Sequence, residues 1–110
     1  MKIFPHRGDV YWVKLDPVIG TETKKTRPGL ILSNNIGNEV SSRVIIAPIT
    51  SKIKNVYPFE TSITINKKSN KVMLDQIRVI DKQRLDNFID AISDKEMVDV
   101  EKSLRLVLDL

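Results

Sequence analysis

The sequence predicts a single, mainly β domain of 110 residues: a small curled β-barrel of the SH3-like kind with an amphipathic helix at its C-terminal end. Short stretches rich in β-branched and aromatic residues alternate with turn-forming residues along most of the chain, as in small barrels. The C-terminal stretch instead repeats apolar residues at helical spacing. No repeat or flexible linker interrupts the pattern, so we expect one domain over residues 1–110.

The first half of the chain is predicted to hold three strands. Residues 9–15 form the first strand. We expect the Trp12 side chain of this strand to point into the core of the domain. The second, within "RPGLILSN", is expected to begin after Pro28, because proline is tolerated where a strand starts. The third, "RVIIAPITS", is apolar enough for burial on both faces, and Pro48 predicts an edge or bulged strand near its end. Between them, "NIGNEVSS" is predicted as a turn.

Two more strands and a mixed stretch follow. "YPFETSITI" alternates well, with polar Glu60, Ser62 and Thr64 on one face and four residues on the other: Phe59, Thr61, Ile63 and Ile65. A basic hairpin loop, "NKKSNK", leads to a fifth strand, "VMLDQIRVI", whose apolar run is interrupted by Asp75 and Gln76. The mixed stretch "DKQRLDNFIDAI" predicts a short turn or helical piece and then a further short strand.

The C-terminal helix has the strongest local signals. Ser93 and Glu96 have the spacing of a capping box, and Ile92 and Met97 have that of a hydrophobic staple. We therefore expect a helix over residues 94–108. Its apolar residues fall on one helical stripe that is predicted to pack on the sheet: Met97, Val100, Leu104, Val107 and Leu108.

The composition excludes several classes of function. The chain has no cysteine and one histidine, which argues against disulfides, thiol catalysis and a transition-metal site, so we expect no cofactor. No apolar stretch approaches the roughly 20 residues that span a bilayer, and the N-terminus has no apolar signal region. We expect a cytoplasmic protein that does not bind membranes. The sequence also lacks the Walker, GxGxxG, HExxH and GxSxG motifs.

Positive charge is concentrated in the first half of the chain. Nine Lys/Arg against four Asp/Glu give residues 1–56 a net charge of +5, whereas nine against ten give residues 57–110 a net charge of −1. The densest cationic cluster, Lys24, Lys25 and Arg27, lies at the start of the second predicted strand. This asymmetry suggests a polyanionic partner, although a solvated basic loop fits the same pattern.

Polar side chains also stand at the ends of the predicted strands. Arg27 precedes the second strand, Thr50 ends the third, and Asp75 and Gln76 interrupt the fifth. Strand ends can converge at one rim of a small barrel, where such side chains would form a site. Each residue also has a purely structural interpretation, as a surface cation, a strand terminus or a turn residue.

This combination of side chains suits the cleavage of RNA. Arginine presents a planar fork of donors that fits a phosphate, threonine adds a hydroxyl donor, and glutamine can read the edge of a base. RNA carries its own nucleophile, the 2′-hydroxyl group. A protein that aligns this oxygen and stabilises the developing negative charge needs neither a metal ion nor a pair of histidines.

Several stretches closely resemble the MazF/PemK family of toxin endoribonucleases. They are "RGDVYWVKLDPVIGTE", "RPGLILSN", "APITS", "LDQIRVIDKQRL" and the amphipathic C-terminal helix, and they occur in the family's order from Arg7 to the last helical turn. Each string alone is weak, but together they are specific. The resemblance implies a PemK/CcdB-like barrel and a sequence-specific, metal-independent mRNA interferase that cleaves single-stranded RNA and inhibits translation.

The resemblance also implies roles for individual residues. The arginine of the family's RP motif and the threonine of its PIT motif form the central catalytic pair, and they correspond to Arg27 and Thr50. RNA contacts are implied for the loop before the RP motif, the flanking lysines, the serine of the SN pair and the DQ pair. These positions correspond to Gly20, Thr21, Glu22, Lys24, Lys25, Ser33, Asp75 and Gln76.

Two departures from the family pattern bear on the mechanism. In the Kid-like branch, an arginine two residues before the aspartate is the general acid and the aspartate is the base, but this chain has Met73 at that position. The same branch has a histidine between the glycine and the glutamate, where this chain has Thr21. We therefore assign the chemistry to Arg27 and Thr50 rather than to proton transfer by Asp75.

The resemblance further implies two protein partners, a second copy in a two-fold homodimer and an antitoxin protein. The alternative is a non-catalytic toxin or nucleic-acid-binding module on the same barrel, such as a CcdB-like gyrase binder. The gyrase-binding toxins depend on a tryptophan near the C-terminus. Here the one tryptophan is Trp12, which argues against that alternative.

Overall fold

The computed structural model describes residues 3–15 and 26–110, which form seven strands, two α-helices and two 3₁₀ turns. The strands are β1 (Asp9–Lys14), β2 (Thr26–Ile31), β3 (Arg43–Thr50), β4 (Glu60–Ile65), β5 (Lys68–Met73), β6 (Arg78–Asp81) and β7 (Leu85–Ala91). The helices are α1 (Asn35–Val40) and α2 (Asp94–Leu108), and the 3₁₀ turns are Leu74–Gln76 and Lys82–Arg84. Each predicted strand is present, but the fifth is split into β5 and β6.

These strands form a curled antiparallel sheet in the order β4-β5-β3-β2-β1-β7, and β6 pairs with β3. The tight β4–β5 hairpin turns through Asn66 and Lys67, whose φ angles are 47° and 67°. Positive φ at both central residues gives a two-residue turn the twist that the flanking strands need. Strand β5 consequently begins inside the stretch that was predicted as a longer basic loop.

The central strands separate two apolar clusters. Leu30 and Ile31 of β2 enter different clusters, as do Ile46 and Ala47 of β3, because successive residues of a strand alternate between faces. This confirms that the third predicted strand is buried on both faces. The larger cluster lies under α2 and includes Val10, Leu30, Ala47, Ile49, Ile63, Val72, Leu74 and Val100. The smaller one consists of Val13, Ile31, Val44, Ile46 and Ile80.

Helix α2 begins and packs as predicted. The Ser93 Oγ accepts a hydrogen bond from the Glu96 N–H at 3.1 Å, and the Glu96 Oε1 accepts one from the Ser93 N–H at 2.9 Å. Val100 is fully buried against the sheet. Leu108, at the end of the helix, is half exposed, so the buried stripe ends at Val107. No helix in the described part of the chain is long and apolar enough to cross a membrane.

Two prolines of the central strands lie where a neighbouring strand is missing. Strand β2 begins before Pro28 rather than after it, but its pairing with β3 starts only at Gly29. Strand β3 is central, so the edge alternative of that prediction is wrong. Along the edge that faces β5 and β6, the pairing with β6 ends at Ile46 and that with β5 starts after Pro48. A residue without an N–H is tolerated in such gaps.

The stretch predicted as a turn between β2 and β3 is instead helix α1. Asn34 caps it, with its Oδ1 accepting a hydrogen bond from the Gly37 N–H at 2.8 Å. The buried Asn38 ties the helix to the end of β2, because its Nδ2 donates to the Ser33 carbonyl at 2.8 Å. Propensity alone does not predict a six-residue helix that contains glycine. The two asparagines supply the missing stabilisation.

Trp12 is not in the core, contrary to the prediction. It alternates along β1 with the buried Val13 and is 40% exposed.

Candidate active site

The two residues predicted to be catalytic lie on adjacent strands. Strands β2 and β3 pair antiparallel from Ile31 opposite Ile46 to Gly29 opposite Pro48. Arg27 lies two residues beyond Gly29 and Thr50 lies two residues beyond Pro48, so both side chains leave the sheet on the same face. The sheet thus brings a guanidinium group and a hydroxyl group from distant parts of the sequence to the same end of two adjacent strands.

The row of side chains continues across two further strands. Thr50 lies opposite Lys71 in β5, and Lys71 lies opposite Ser62 in β4. We call Arg27, Thr50, Lys71 and Ser62 the cross-strand row. All four leave the same face of the sheet, the face that carries the smaller apolar cluster further along β2 and β3.

Strand β1 holds the backbone of Arg27. The residue pairs with Val13, whose buried side chain belongs to the smaller apolar cluster. Arg27 is partly buried. A guanidinium group keeps its charge at any working pH and presents donors in a fixed fork. This arrangement can hold a phosphate through two oxygens.

Thr50 is the last residue of β3 and is partly buried. Its Oγ1 accepts a hydrogen bond from the Lys52 backbone N–H at 3.2 Å. A threonine hydroxyl accepts and donates at the same time, so its hydrogen is left to donate. The hydroxyl group can therefore donate to an anion at this end of the sheet.

Gly29 permits the close packing that sets the position of Arg27. A Cβ atom at Gly29 would lie 2.8 Å from Val13 Cγ2 and 3.2 Å from Ile46 Cδ1, both on the face of the cross-strand row. These distances are shorter than van der Waals contacts between carbon atoms, so a larger residue would displace the side chains beneath the site. Gly29, which follows the RP motif, is therefore required for packing.

Lys71 and Glu60 were not predicted as part of the site. Lys71 is only 9% exposed, although lysine is rarely buried. Its Nζ lies 2.9 Å from the Glu60 Oε1 and donates to the Asn55 carbonyl at 2.7 Å. The Asn66-Lys67 turn is the sequence feature from which this contact could have been predicted. A two-residue hairpin fixes the register of β4 and β5, and this register puts Glu60 and Lys71 on one face as diagonal neighbours.

Burial and the surrounding donors act in opposite directions on the pKa of Glu60. Burial raises the pKa of this carboxyl group, but the hydrogen bonds from Lys71 and from the Tyr57 N–H, with the charge of Lys71, lower the pKa below its usual value of 4.5. The carboxylate is therefore the stable form in the folded protein.

Asp75 and Gln76 lie in the 3₁₀ turn that follows β5, and both are exposed. The turn connects β5, which pairs with the end of β3, to β6, which pairs with the start of β3. It therefore lies beside the middle of β3, a few residues from Thr50. The Gln76 Nε2 lies 3.5 Å from the Met73 Sδ. The prediction of one continuous fifth strand is wrong, because this turn redirects the chain between β5 and β6.

Ser33 is separated from this group. It lies six residues beyond Arg27, about 20 Å away at the usual rise of a strand. The Ser33 hydroxyl is engaged locally: it donates to the Asn38 Oδ1 and accepts from the Ile45 N–H at 3.0 Å. The structure therefore gives Ser33 a role in joining α1 to β3.

Five of the predicted RNA-binding residues lie outside the residues that the structure describes: Gly20, Thr21, Glu22, Lys24 and Lys25. Within the described residues, no group of three or more His, Cys, Asp or Glu side chains could hold a metal ion.

Comparison with known proteins identifies the family. A family model of the PemK-like, MazF-like toxins of type II toxin–antitoxin systems matches residues 6–108. The chain belongs to this family. The relatives of this PemK/MazF-like toxin include Endoribonuclease EndoA of Bacillus subtilis (strain 168), which is 39% identical over 110 residues that cover 94% of each chain.

Solved structures confirm the fold of this PemK/MazF-like chain. A MazE–MazF complex from Deinococcus radiodurans has a TM-score of 0.83 and 28% identity, and the match covers 96% of each chain. A crystal structure of MazF from the same organism has a TM-score of 0.81 and 27% identity, with 99% of this chain and 100% of that chain covered. The predicted curled barrel with a C-terminal helix is therefore confirmed.

The motifs that indicated the PemK/MazF family are close together in the fold. The RP motif lies in β2, the PIT motif ends β3, and the DQ pair lies in the turn beside β3. Within the described residues, the SN motif lies apart from these three, just beyond the other end of β2.

Proposed function

We propose that this protein is a sequence-specific endoribonuclease toxin, an mRNA interferase that cleaves single-stranded RNA without a metal ion and inhibits translation. The observation that supports the proposal is that Arg27 and Thr50 lie on one face, at the same end of the adjacent strands β2 and β3 of a PemK/MazF-like sheet. The relative from Bacillus subtilis is itself named as an endoribonuclease.

The proposed reaction uses the RNA as its own nucleophile. The 2′-oxygen attacks the adjacent phosphorus and loses its proton to water, while the bond from phosphorus to the 5′-oxygen breaks. Arg27 binds the phosphate oxygens, stabilises their increasing charge and donates a hydrogen bond to the departing 5′-oxygen, which takes up a proton from water. Thr50 donates to a second phosphate oxygen. The products are a 2′,3′-cyclic phosphate and a 5′-hydroxyl end.

The other predicted residues bind the RNA on either side of this phosphate. Lys24 and Lys25 supply charge that attracts the RNA backbone, and Gly20, Thr21 and Glu22 contribute further RNA contacts. Asp75 and Gln76 offer an acceptor and an amide to base edges. Ser33 remains a prediction: because its hydroxyl is engaged locally, an RNA contact there would lie on a separate part of the surface.

The proposal includes two protein partners and a location. A homodimer would extend the short surface of one subunit into a groove long enough for an RNA strand. An antitoxin would control the activity, as indicated by a related MazF that was crystallised with MazE. An acidic antitoxin segment would compete with phosphate for the cations around Arg27. We place the protein in the cytoplasm, where translated RNA is found.

Incubation of the purified protein with a long single-stranded RNA tests the proposal. We expect cleavage in EDTA at a few defined sequences, with 2′,3′-cyclic phosphate and 5′-hydroxyl ends. Cleavage that EDTA abolishes and Mg²⁺ restores would contradict the mechanism. Binding without turnover would instead favour the nucleic-acid-binding module, and inhibition of gyrase without RNA cleavage would favour the CcdB-like alternative.

A further inference from the structure

The ammonium group of Lys71 has several partners within the protein, whereas a lysine that only adds solubility or attracts an anionic ligand faces solvent. Its side chain is 11% exposed, and its ammonium group contacts the Glu60 carboxylate, the Asn55 carbonyl and, with 5.8 Å to the centroid, the ring of Tyr57. Replacing a buried ion pair by apolar residues of similar size often leaves stability unchanged or improves it. Stability alone therefore does not account for this pair.

The contacts of Lys71 converge on one segment of the chain. Residues 51–59 connect β3 to β4 without helix or strand, and residues 51–58 are exposed. We call this stretch the connecting segment. Two of its residues bind the ion pair directly: the Asn55 carbonyl accepts from Lys71, and the Tyr57 N–H donates to the Glu60 Oε1 at 3.0 Å.

The connecting segment begins at the proposed catalytic threonine. Thr50 is directly opposite Lys71, so the hydroxyl and the ammonium group leave the same face of the sheet on neighbouring strands. The Thr50 hydroxyl is oriented by the Lys52 N–H of this segment. Displacement of the segment would therefore change the direction in which Thr50 donates.

The segment also presents apolar side chains to solvent. Ile53, Val56 and Tyr57 are each about half exposed. The Tyr57 ring stacks on Phe59 with 5.4 Å between the centroids and 6° between the planes. Exposed apolar and aromatic side chains beside a phosphate-binding group are suited to contact nucleobases.

We propose that Lys71, through its pair with Glu60, is a positioning residue for the RNA cleavage inferred above, on which this proposal rests. It holds the connecting segment so that Thr50 points at the phosphate and the segment forms a fixed wall for the neighbouring nucleotide. Lys71 does not bind a phosphate itself, because its donors face Glu60 and Asn55.

The test is a double variant, Lys71→Met/Glu60→Gln, which removes the ion pair without leaving an unpaired buried charge. The matched control is Lys68→Met, an exposed lysine of the same strand. The substrate is a short RNA that contains one mapped cleavage site. The same RNA with a 2′-deoxy nucleotide at that site has no nucleophile and reports binding alone.

We expect the double variant to cleave saturating RNA about 10- to 100-fold more slowly in a single turnover, the size of effect that small misplacement of a reacting group produces. The salt dependence of binding should match that of the wild type, because no phosphate contact is lost. Trypsin should cut after Lys52 and Lys54 faster than in the wild type, because the segment is released. Lys68→Met should cleave RNA at the wild-type rate.

Three results would overturn the proposal. One is a normal single-turnover rate in a folded double variant. Another is a binding salt slope that falls by about one, which would make Lys71 a phosphate contact. The third is unchanged tryptic cutting, which would show that the ion pair does not hold the segment. If the wild type cleaves no RNA at all, the proposed function itself fails, and the wild-type reaction distinguishes that failure from the others.

Discussion

The shape of the Arg27 side chain should matter as much as its charge. Arg27→Ala should reduce the cleavage rate at saturating RNA by about 10²–10³, the usual effect of removing one transition-state donor. Arg27→Lys should not restore the rate, because an ammonium group cannot reproduce the planar fork. Single-turnover kinetics measure both effects.

Thermal melts should show that the Arg27 variants are folded, since a rim side chain contributes little to the core. Arg105→Ala, on the exposed part of α2, is the matched control for loss of an arginine and should cleave normally. Normal cleavage by Arg27→Ala would mean that the active site lies elsewhere on the protein.

Gly29 should be sensitive to the addition of a single methyl group. Gly29→Ala places a Cβ 2.8 Å from Val13 Cγ2, so the smaller apolar cluster must shift. We expect the free energy of unfolding to fall by about 1–3 kcal/mol, the usual cost of overpacking. Urea titration measures this change. The cleavage rate should fall as well, because Arg27 is two residues away on the same face.

Gly37→Ala is the control for the Gly29 variant. The nearest atom to its added Cβ is the Asn34 Oδ1 at 3.4 Å, an ordinary contact, and alanine favours the helical conformation of α1. Its stability should equal or exceed that of the wild type. If the two alanine variants were equally stable, the close packing at Gly29 would not be the reason for the glycine.

At the scale of elements, the β4–β5 hairpin should lose stability in acid through Glu60. The pKa of this carboxyl group is lowered on folding, so its contribution is fully present above the unfolded value near 4.5 and is lost as the pH falls through the lower folded value. The wild type should therefore lose more stability between pH 6 and about 3.5 than Glu60→Gln does.

Urea titrations at several pH values measure this difference. The control is Glu39→Gln, which replaces an exposed carboxyl group of α1 and should follow the wild-type pH dependence. Parallel curves for the wild type and Glu60→Gln would show that the ion pair does not couple stability to pH.

The elements differ in how well the sequence predicts them, and local signals explain the difference. Helix α2 was predictable to its first residue because Ser93 and Glu96 cap it through bonds that are encoded locally. Helix α1 was not, because it depends on Asn38, whose partner Ser33 and buried position are properties of the folded protein. The split of the fifth strand was missed because β5 pairs with β4 and with the end of β3, whereas β6 pairs with the start of β3. No local pattern shows this difference in pairing.

The same distinction applies to the candidate site. Arg27, Thr50, Asp75 and Gln76 were predicted from motifs, and the sheet brings them to one region. Lys71 was missed because a lysine in a basic hairpin is normally expected to be exposed to solvent. Its burial follows from the fold-back of the connecting segment, and only the tertiary structure reveals that.

At the scale of the whole molecule, one exposed apolar face is suited to contact a second subunit. The exposed side chains of α1, β3 and β6 include Ile36, Val40, Ile45 and Val79, around a shallow apolar hollow that Ser33 also lines. Apolar surfaces of this kind usually mark an interface. We predict that a second copy covers this face and that the wild type sediments as a dimer at micromolar concentration.

Ile45→Glu should shift the protein towards the monomer, because a charge would be buried at the contact. Val98→Glu, at an exposed apolar position on α2, should leave the dimer intact. Sedimentation velocity over a range of concentrations measures both. A wild type that is monomeric and still active would contradict the dimeric groove, whereas a dimer that survives Ile45→Glu would move the interface to another face.

The cross-strand row determines how early during synthesis the protein can become active. Its members come from four strands, and Arg27 and Lys71 are 44 positions apart in the sequence. Such long-range pairing forms slowly, and it cannot form until the ribosome has released β5. Val100 of α2, which closes the larger cluster, emerges later still. A nascent chain would therefore be harmless to the message that encodes it, and toxicity would begin only after β5 and α2 have emerged from the ribosome.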